Sequence, residues 1–284
     1  HALVRGIPPR AVMAELFGRR DGCSRGMGGS MHLFDAERRF MGGYAIVGET
    51  YPVAIGIAYG IAMRALDDVV ICFFGDGAVN QGTFHESLNM AALWRLPVLF
   101  VCENNRYQIG TEIHRHSAVA EVWKRACAYR ITAKKIDGMD VLTVYQASRD
   151  ALAQIRAGNG PQLIECETYR FRGHSMADPG SYRPKVELKA FEQNDDPLNI
   201  AIAETVTRYP TPEELGAAGP DTIQRLAGHL DQGGHVSAEE LAVMQREVGE
   251  EVDAAVRFAQ DSPEPTLADA EAALACNRHG EVLV

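Results

Sequence analysis

Residues 69–111 read VVICFFGDGAVNQGTFHESLNMAALWRLPVLFVCENNRYQIGT, and this stretch decides the fold of the chain. Two short apolar runs, Val69–Phe74 and Pro97–Cys102, are rich in β-branched and aromatic residues and predict two buried strands. The periodic segment between them, Gly82–Leu96, predicts a helix. A strand, a helix and a second strand in this order indicate a right-handed parallel unit, in which ligands bind beyond the carboxyl ends of the strands.

These two carboxyl ends are followed by the polar sequences Gly75-Asp76-Gly77 and Glu103-Asn104-Asn105. Glycines on both sides of Asp76 let the backbone turn sharply and approach a ligand closely. A phosphate suits such a turn, but the carboxylate would repel it unless a cation lay between them. Mg²⁺ prefers oxygen ligands and often bridges protein groups to phosphates. We therefore predict Mg²⁺ ligands from Asp76, from the amide oxygen of Asn105 and from the backbone carbonyl of Tyr107.

Other interpretations of the same stretch remain open at this point. A Gly-Asp-Gly sequence alone is more often an ordinary turn, and it is the pairing with Asn-Asn at the end of the next strand that favours a site. A dinucleotide-binding loop is the nearest rival, but Asn80 stands where its third glycine would be. The chain has no Gly-Lys-Ser or Gly-Lys-Thr phosphate loop either.

Gly-Asp-Gly followed by Asn-Asn resembles the thiamine diphosphate (ThDP) motif. The fuller text GDGAVNQG…ESLNMAALWRLP…ENNRYQIGT, with CSRGMGGSMHLFD before it and ETYRFRGHSMADPGSYR after it, resembles the alpha subunit of the first component of pyruvate dehydrogenase. The match covers nearly the whole chain. Asp76 argues mildly against the branched-chain 2-oxoacid relatives, which usually carry Gly-Glu-Gly. The resemblance implies an α/β fold with a parallel sheet flanked by helices, followed by a helical C-terminal segment, and it implies bound Mg²⁺ and ThDP.

The resemblance also implies a reaction and partners. ThDP attacks the keto carbon of a 2-oxo acid such as pyruvate, CO₂ leaves, and the acyl group passes to the lipoyl group of an acyltransferase component. A second, similarly folded domain supplies a glutamate that activates ThDP. Because this chain holds one Gly-Asp-Gly…Asn-Asn unit, we expect a beta subunit in an α₂β₂ tetramer, with the small-residue helix Thr50–Leu66 built for close packing.

Two other functions compete with this one. An acetoin dehydrogenase alpha subunit, or one for another 2-oxo acid, belongs to the same class. Arg106 and the Ala-Leu-Trp-Arg-Leu-Pro text favour pyruvate. A non-catalytic nucleotide-binding module is the alternative from a different class.

Residue roles follow from the resemblance as well. The residues that would bind the cofactor are Ala45, Val47, Gly77, Ala78, Asn105 and Ile109. The backbone near Ala45 and Val47 would contact the aminopyrimidine ring, and Ile109 would wedge under the bent cofactor. His174, in the loop Tyr169–Arg183 after a predicted strand, matches an active-site histidine, and Ser175 matches a regulatory phosphorylation site of some members.

Composition narrows the partners and the compartment. The 284 residues carry a net charge of −10, which disfavours nucleic acid and anionic membrane as partners. The longest apolar stretch, Pro52–Met63, is too short to span a bilayer. The six cysteines include no Cys-x-x-Cys pair, which argues against a zinc site, and they are compatible with a reducing compartment. We expect a cytoplasmic location in a bacterium, and an organelle matrix or stroma stays open because the text begins at His1 without methionine.

The expected domain organisation is an α/β domain over residues 1–184 and a helical segment over 185–284 packed on it. The family's pattern also contains, ahead of the position of His1, a Tyr-Arg pair and a histidine outside this sequence. In the C-terminal part, Val186–Tyr209 and Ser237–Gln260 predict long helices. Two capping boxes are predicted, one at Thr83, which has Glu86 three residues later, and one at Ser237, which has Glu240 three residues later.

Overall fold

The structure is a computed structural model that describes residues 1–185, 187–188, 226 and 237–276. The chain divides into two compact units, one formed by His1–Ile46 with Val236–Val284 and the other by Val47–His235. This grouping differs from the division expected after residue 184, which stays a prediction. Most of the predicted helix Val186–Tyr209 lies outside the described residues.

The described strands all belong to the second unit. They are β1 (Val70–Gly75), β2 (Val98–Asn104), β3 (Tyr107–Gln108), β4 (Thr111–Glu112), β5 (Thr132–Asp137) and β6 (Gln162–Glu167). Four of them form a parallel sheet in the order β1-β2-β6-β5, while β3 and β4 form a short antiparallel pair. The predicted parallel α/β fold is therefore confirmed.

The described helices flank this sheet or lie in the first unit. They are α1 (Pro9–Leu16), α2 (Thr50–Met63), α3 (Gly82–Leu93), α4 (Ile113–His116), α5 (Val122–Arg125), α6 (Val141–Arg156), α7 (Ala238–Asp261) and α8 (Leu267–Cys276). Two 3₁₀ turns, Asp76–Asn80 and Ala126–Tyr129, complete the set. No helix of the part of the chain that the structure describes is long and apolar enough to cross a membrane.

Strand β2 is buried on both faces, so it holds two cores together. Phe100 and Cys102 belong to one core, which includes residues of α2 and α3, whereas Leu99 and Val101 belong to another, which includes residues of α6. Alternate side chains of a strand point to opposite faces, and this explains the split. An apolar run buried on both sides is typical of a parallel strand between helical layers. The sheet edge that follows is thereby held rigidly.

The start of α3 corrects one prediction. The helix begins at Gly82 with Gln81 as its N-terminal flanking residue, and no side chain caps it. The hydroxyl of Thr83 instead donates to the carbonyl of Gly48 at 3.0 Å. Because Thr83 already lies inside the first turn, a capping box starting there cannot form. Its hydroxyl ties the loop before α2 to α3.

The first unit is organised around a buried carboxylate. Glu15, at the end of α1, is fully buried, and its two oxygens accept four backbone N–H groups at 2.7–3.1 Å. The donors are Ser24, Gly26, Gly28 and Gly29. Charge-assisted hydrogen bonds of this kind are stronger than neutral ones, so Glu15 holds the glycine-rich loop in a fixed shape.

Helix α7 belongs to the same unit and packs along α1. Ser237 and Glu240 form the predicted capping box at its start, which confirms that expectation. The prolines Pro263 and Pro265 end α7, but they do not end the helical part of the chain, because α8 follows them.

Candidate active site

The register of the sheet brings the predicted ligand-bearing turns to one edge. Gly75 pairs with Glu103, and Asn104 pairs with Glu167, so the carboxyl ends of β1, β2 and β6 lie side by side. The turn that starts at Asp76 therefore lies beside Asn104 and the residue after it. The loop after β6 is joined to the same edge by the N–H of Thr168, which donates to the carbonyl of Asn104 at 2.8 Å.

Asp76 is buried at this edge, with 1% of its surface exposed. The backbone N–H of Asn105 lies close enough to the Asp76 carboxylate to lower its pKa, so the two predicted ligand residues are neighbours. Burial raises the pKa of Asp76, while the nearby His116 and the backbone hydrogen bonds lower it. The oxygen Oδ2 of Asp76 is buried and makes no well-formed hydrogen bond, and Nε2 of His116 lies 3.3 Å from it. A buried carboxylate is costly, and a cation would compensate its charge.

The other two predicted metal ligands present oxygens at the same edge. The Oδ1 of Asn105 accepts the N–H of Tyr107 at 3.2 Å, and the carbonyl of Tyr107 accepts a guanidinium N–H of Arg170 at 3.3 Å. Each oxygen keeps a second lone pair. A carboxylate, an amide and a carbonyl are the donor types that suit Mg²⁺. The residues present therefore fit a bound Mg²⁺.

The 3₁₀ turn after β1 permits a close approach. Gly77 is buried, and a Cβ atom added to it would lie 2.5 Å from a side-chain carbon of Gln108. A larger residue at this position would have to displace the side chain of Gln108. Ala78 follows as a half-buried residue.

Ile109 has a strained backbone and an exposed side chain. Its φ is +54°, which is rare for a β-branched residue, and 58% of its surface is exposed. Such a conformation costs about 1–3 kcal/mol and persists only where the surroundings impose it. Here the carbonyl of Ile109 accepts Nη2 of Arg170 at 2.5 Å. An apolar side chain held outward at this edge is consistent with the predicted wedge.

The loop after β6 is fastened by arginines. Besides its bonds to the carbonyls of Tyr107 and Ile109, Arg170 donates to the hydroxyl of Tyr182 at 2.8 Å, and its Nη1 lies 3.3 Å from Nδ1 of His174. Since a guanidinium only donates, Nδ1 of His174 faces it as an acceptor, and the ring proton lies on Nε2. The imidazole is exposed.

Arg183 fastens the other end of the loop. Its guanidinium donates to the carbonyls of Arg170, Phe171 and Arg172. Asp178 closes the loop internally by accepting the N–H of His174 at 2.7 Å and the N–H of Gly180 at 2.8 Å. These backbone hydrogen bonds hold the pKa of Asp178 at about 2.

A buried carboxylate lies behind the edge. Glu187 accepts the hydroxyls of Tyr107 and Tyr169 at 2.8–3.1 Å. Burial raises the pKa of Glu187, while the two hydroxyls and Arg106 lower it. Sequence reasoning missed this residue because no motif marks it, and its contact with Tyr107 spans 80 residues of the chain.

His116 is a second residue that the sequence analysis missed. Its Nε2 lies 3.3 Å from Oδ2 of Asp76, and only 8% of its side chain is exposed. It ends α4, which follows the β3-β4 pair, and nothing in the local sequence signals that this turn folds back onto Asp76.

Among the described residues no cluster of three or more His, Cys, Asp or Glu side chains could hold a metal ion. The predicted Mg²⁺ site is not a cluster of that kind, because it has one carboxylate, from Asp76, and two neutral oxygens, from Asn105 and Tyr107.

The family model described as "Dehydrogenase E1 component" matches residues 1–209 and 203–268. The chain belongs to the dehydrogenase E1 component family. The family expected from the two motifs is thereby confirmed.

Individual relatives from this family agree. The chain is 42% identical over 95% of its length to the pyruvate dehydrogenase E1 component subunit alpha of Porphyra purpurea, covering 73% of that protein. It is 40% identical to the subunit of the same name from Rhizobium meliloti, of which it covers 70%. It is 41% identical to the chloroplastic subunit alpha-3 of Arabidopsis thaliana, of which it spans 57%.

The structure brings most of the predicted residues of this dehydrogenase E1 family member to one place. Asp76, Asn105 and Tyr107 lie at the carboxyl edge of the sheet, and Arg170 connects that edge to His174. The predictions for Ala45 and Val47 concern residues on either side of the boundary between the two units. Val47 is exposed in the second unit, and Ala45 is exposed in the first, so their contact with a cofactor stays a prediction.

Proposed function

We propose that this chain is the alpha subunit of a ThDP-dependent pyruvate dehydrogenase, which carries out oxidative decarboxylation and passes the acyl group to a lipoyl carrier. The observation that carries the proposal is the buried carboxylate of Asp76 beside Asn105 at the carboxyl edge of the sheet, with the amide oxygen of Asn105 and the carbonyl of Tyr107 on the residues that follow. Membership of the dehydrogenase E1 component family and the names of the relatives support the choice of reaction.

The cofactor would be held by this edge. Asp76, Asn105 and the carbonyl of Tyr107 would ligate Mg²⁺, which neutralises the diphosphate. The backbone at Gly77 and Ala78, in the turn that follows Asp76, would lie beside the diphosphate.

When bound, ThDP supplies the electron sink for decarboxylation, and the protein provides binding and orientation. The exposed side chain of Ile109 would support the bent cofactor. His174 would hold or move a proton at Nε2 during acyl transfer, because Arg170 keeps the proton off Nδ1. The loop bonds of Asp178 and Arg183 fix where that imidazole stands.

A beta subunit is the expected partner, in an α₂β₂ tetramer. Helix α2 leaves apolar and small residues uncovered: Tyr59 is 46% exposed, Met63 is 69% exposed, and a Cβ at Gly56 or Gly60 would meet open space. Small residues permit a second helix to pack closely. Glycine inside a helix costs about 1 kcal/mol relative to alanine, and a packed partner would offset it.

The test is turnover by the full chain co-expressed with its cognate beta subunit. We expect reduction of an artificial electron acceptor with pyruvate, little with acetoin or branched-chain 2-oxo acids, and none from either subunit alone. An acetoin dehydrogenase would give the reverse preference between the first two substrates. Extraction of the bound cofactor as NAD, or the absence of any turnover with intact Mg·ThDP, would contradict the proposal.

A further inference from the structure

His116 faces the carboxylate of Asp76, the proposed metal ligand. Its Nε2 lies 3.3 Å from Oδ2 of Asp76, and neither of these two buried atoms has a hydrogen-bond partner. A separation of 3.3 Å is slightly longer than a well-formed N–H···O bond, so a small shift of the ring would complete one. What decides the interaction is whether Nε2 carries a proton.

A chain of polar contacts settles the position of that proton. Arg125 donates through Nη1 to Oδ1 of Asn80 at 2.9 Å, and this bond fixes which end of the amide is oxygen. The amide nitrogen of Asn80 therefore points the other way, towards Nδ1 of His116 at 3.1 Å. An amide nitrogen only donates, so Nδ1 must present its lone pair.

The same contact extends to the backbone. The amide nitrogen of Asn80 also donates to the carbonyl of His116 at 3.0 Å, which holds the backbone of His116 against the 3₁₀ turn. The hydroxyl of Ser117 lies 3.0 Å from Nδ1 and can donate to it as well. A neutral imidazole whose Nδ1 accepts carries its proton on Nε2. The N–H of His116 is thus directed at the carboxylate of Asp76.

We propose that His116 is a positioning residue for the Mg²⁺ site: its Nε2–H, oriented by Asn80 and Arg125, fixes the Asp76 carboxylate for the cation. The inference rests on the proposed function, because it assigns His116 to the metal site named there. Hydrogen-bond partners behind a metal ligand set its orientation, and removing one typically weakens metal affinity by about 10- to 100-fold.

Two substitutions of the same residue separate this role from packing. In His116→Gln the amide N–H can reach the position of Nε2, whereas in His116→Asn the shorter amide stays near the position of Nδ1. His114→Asn is the matched control, since His114 lies in the same helix α4 and more than half of its side chain is exposed. Each variant is purified as the complex of the full chain with its beta subunit.

The measurement is Mn²⁺ binding in the presence of ThDP, followed by the electron paramagnetic resonance signal of free Mn²⁺. We expect His116→Asn to weaken Mn²⁺ binding by about 10- to 100-fold, His116→Gln to restore most of it, and His114→Asn to match the wild type. Thermal denaturation of each complex reports its folding independently.

Two results would overturn the inference while leaving the proposed function intact. One is unchanged Mn²⁺ affinity in a folded His116→Asn complex. The other is equal weakening by Asn and Gln, because a role in packing alone would not distinguish an amide that reaches Asp76 from one that does not. If the wild-type complex fails to bind Mn²⁺ with ThDP, the proposed function falls and this inference falls with it.

Discussion

Replacing Arg170 by lysine tests how the loop after β6 is joined to the cofactor edge. The guanidinium reaches two backbone carbonyls, those of Tyr107 and Ile109, and the hydroxyl of Tyr182. These acceptors lie on different segments, and a planar fork can serve all of them together. A lysine ammonium on a flexible stem keeps the charge but cannot reproduce the fork.

The magnitude follows from the bonds that lysine cannot make. If lysine retains one of the three, two charge-assisted hydrogen bonds are lost. Because Arg170 is only half-buried, each bond is taken at about 1 kcal/mol, below the usual value for charged donors. A loss of about 2 kcal/mol raises the open population of the loop roughly 30-fold. The strained backbone of Ile109 adds to this tendency, since release lets it relax.

Hydrogen–deuterium exchange followed by mass spectrometry measures this opening. Peptides covering residues 107–112 and 170–183 should exchange roughly 30-fold faster in Arg170→Lys if exchange tracks the open population. Arg172→Lys is the matched control. Arg172 is exposed and accepts a loop hydrogen bond through its backbone carbonyl, which the substitution leaves in place. Equal exchange in Arg170→Lys and the control would refute the reasoning.

Three further predictions concern the same edge. His174→Ala should leave ThDP affinity unchanged and slow acyl transfer to the lipoyl group by about 10²–10⁴-fold, and normal flux in the reconstituted complex would refute this. The pKa of Asp178 is held at about 2, below its unfolded value of 3.8, so its support of the loop is complete above pH 3.8 and is lost as pH falls through about 2. Loop protection should therefore be flat across neutral pH and lower in Asp178→Asn, and a wild-type loss of protection near neutrality would contradict the assignment. Glu187→Ala removes the acceptor shared by the hydroxyls of Tyr107 and Tyr169, which costs about 1–3 kcal/mol per hydroxyl. Thermal denaturation should show a larger loss than for Glu187→Gln, which keeps an acceptor, and equal losses would count against this role.

The parts of the fold that could be predicted are those with a local signal. Strands β1 and β2 stand out because each is a nearly continuous apolar run, as is typical of parallel strands. The Gly-Asp-Gly turn and the Asn-Asn pair then follow directly at their ends, so Asp76 and Asn105 could be placed at one edge from the sequence.

The parts that could not be predicted depend on contacts between distant segments. His116 reaches Asp76 only because the turn after β4 folds back over the edge, and Glu187 meets Tyr107, which is 80 residues from it in the chain. The capping box at Thr83 failed for a related reason: the loop before α2 offers Thr83 a carbonyl, and the helix begins at Gly82, two residues earlier than a cap at Thr83 requires.

The central claim is that Asp76 binds the cation that holds ThDP at this edge. Isothermal titration calorimetry of ThDP into the assembled complex, with and without Mg²⁺, tests it most directly. Asp76→Asn removes the charge while keeping the shape, and Asp67→Asn, an exposed residue ahead of β1, is the matched control. The account predicts Mg²⁺-dependent binding of ThDP in the wild type and in Asp67→Asn, and a collapse of that affinity in a folded Asp76→Asn complex. Unchanged Mg·ThDP affinity in Asp76→Asn would contradict it.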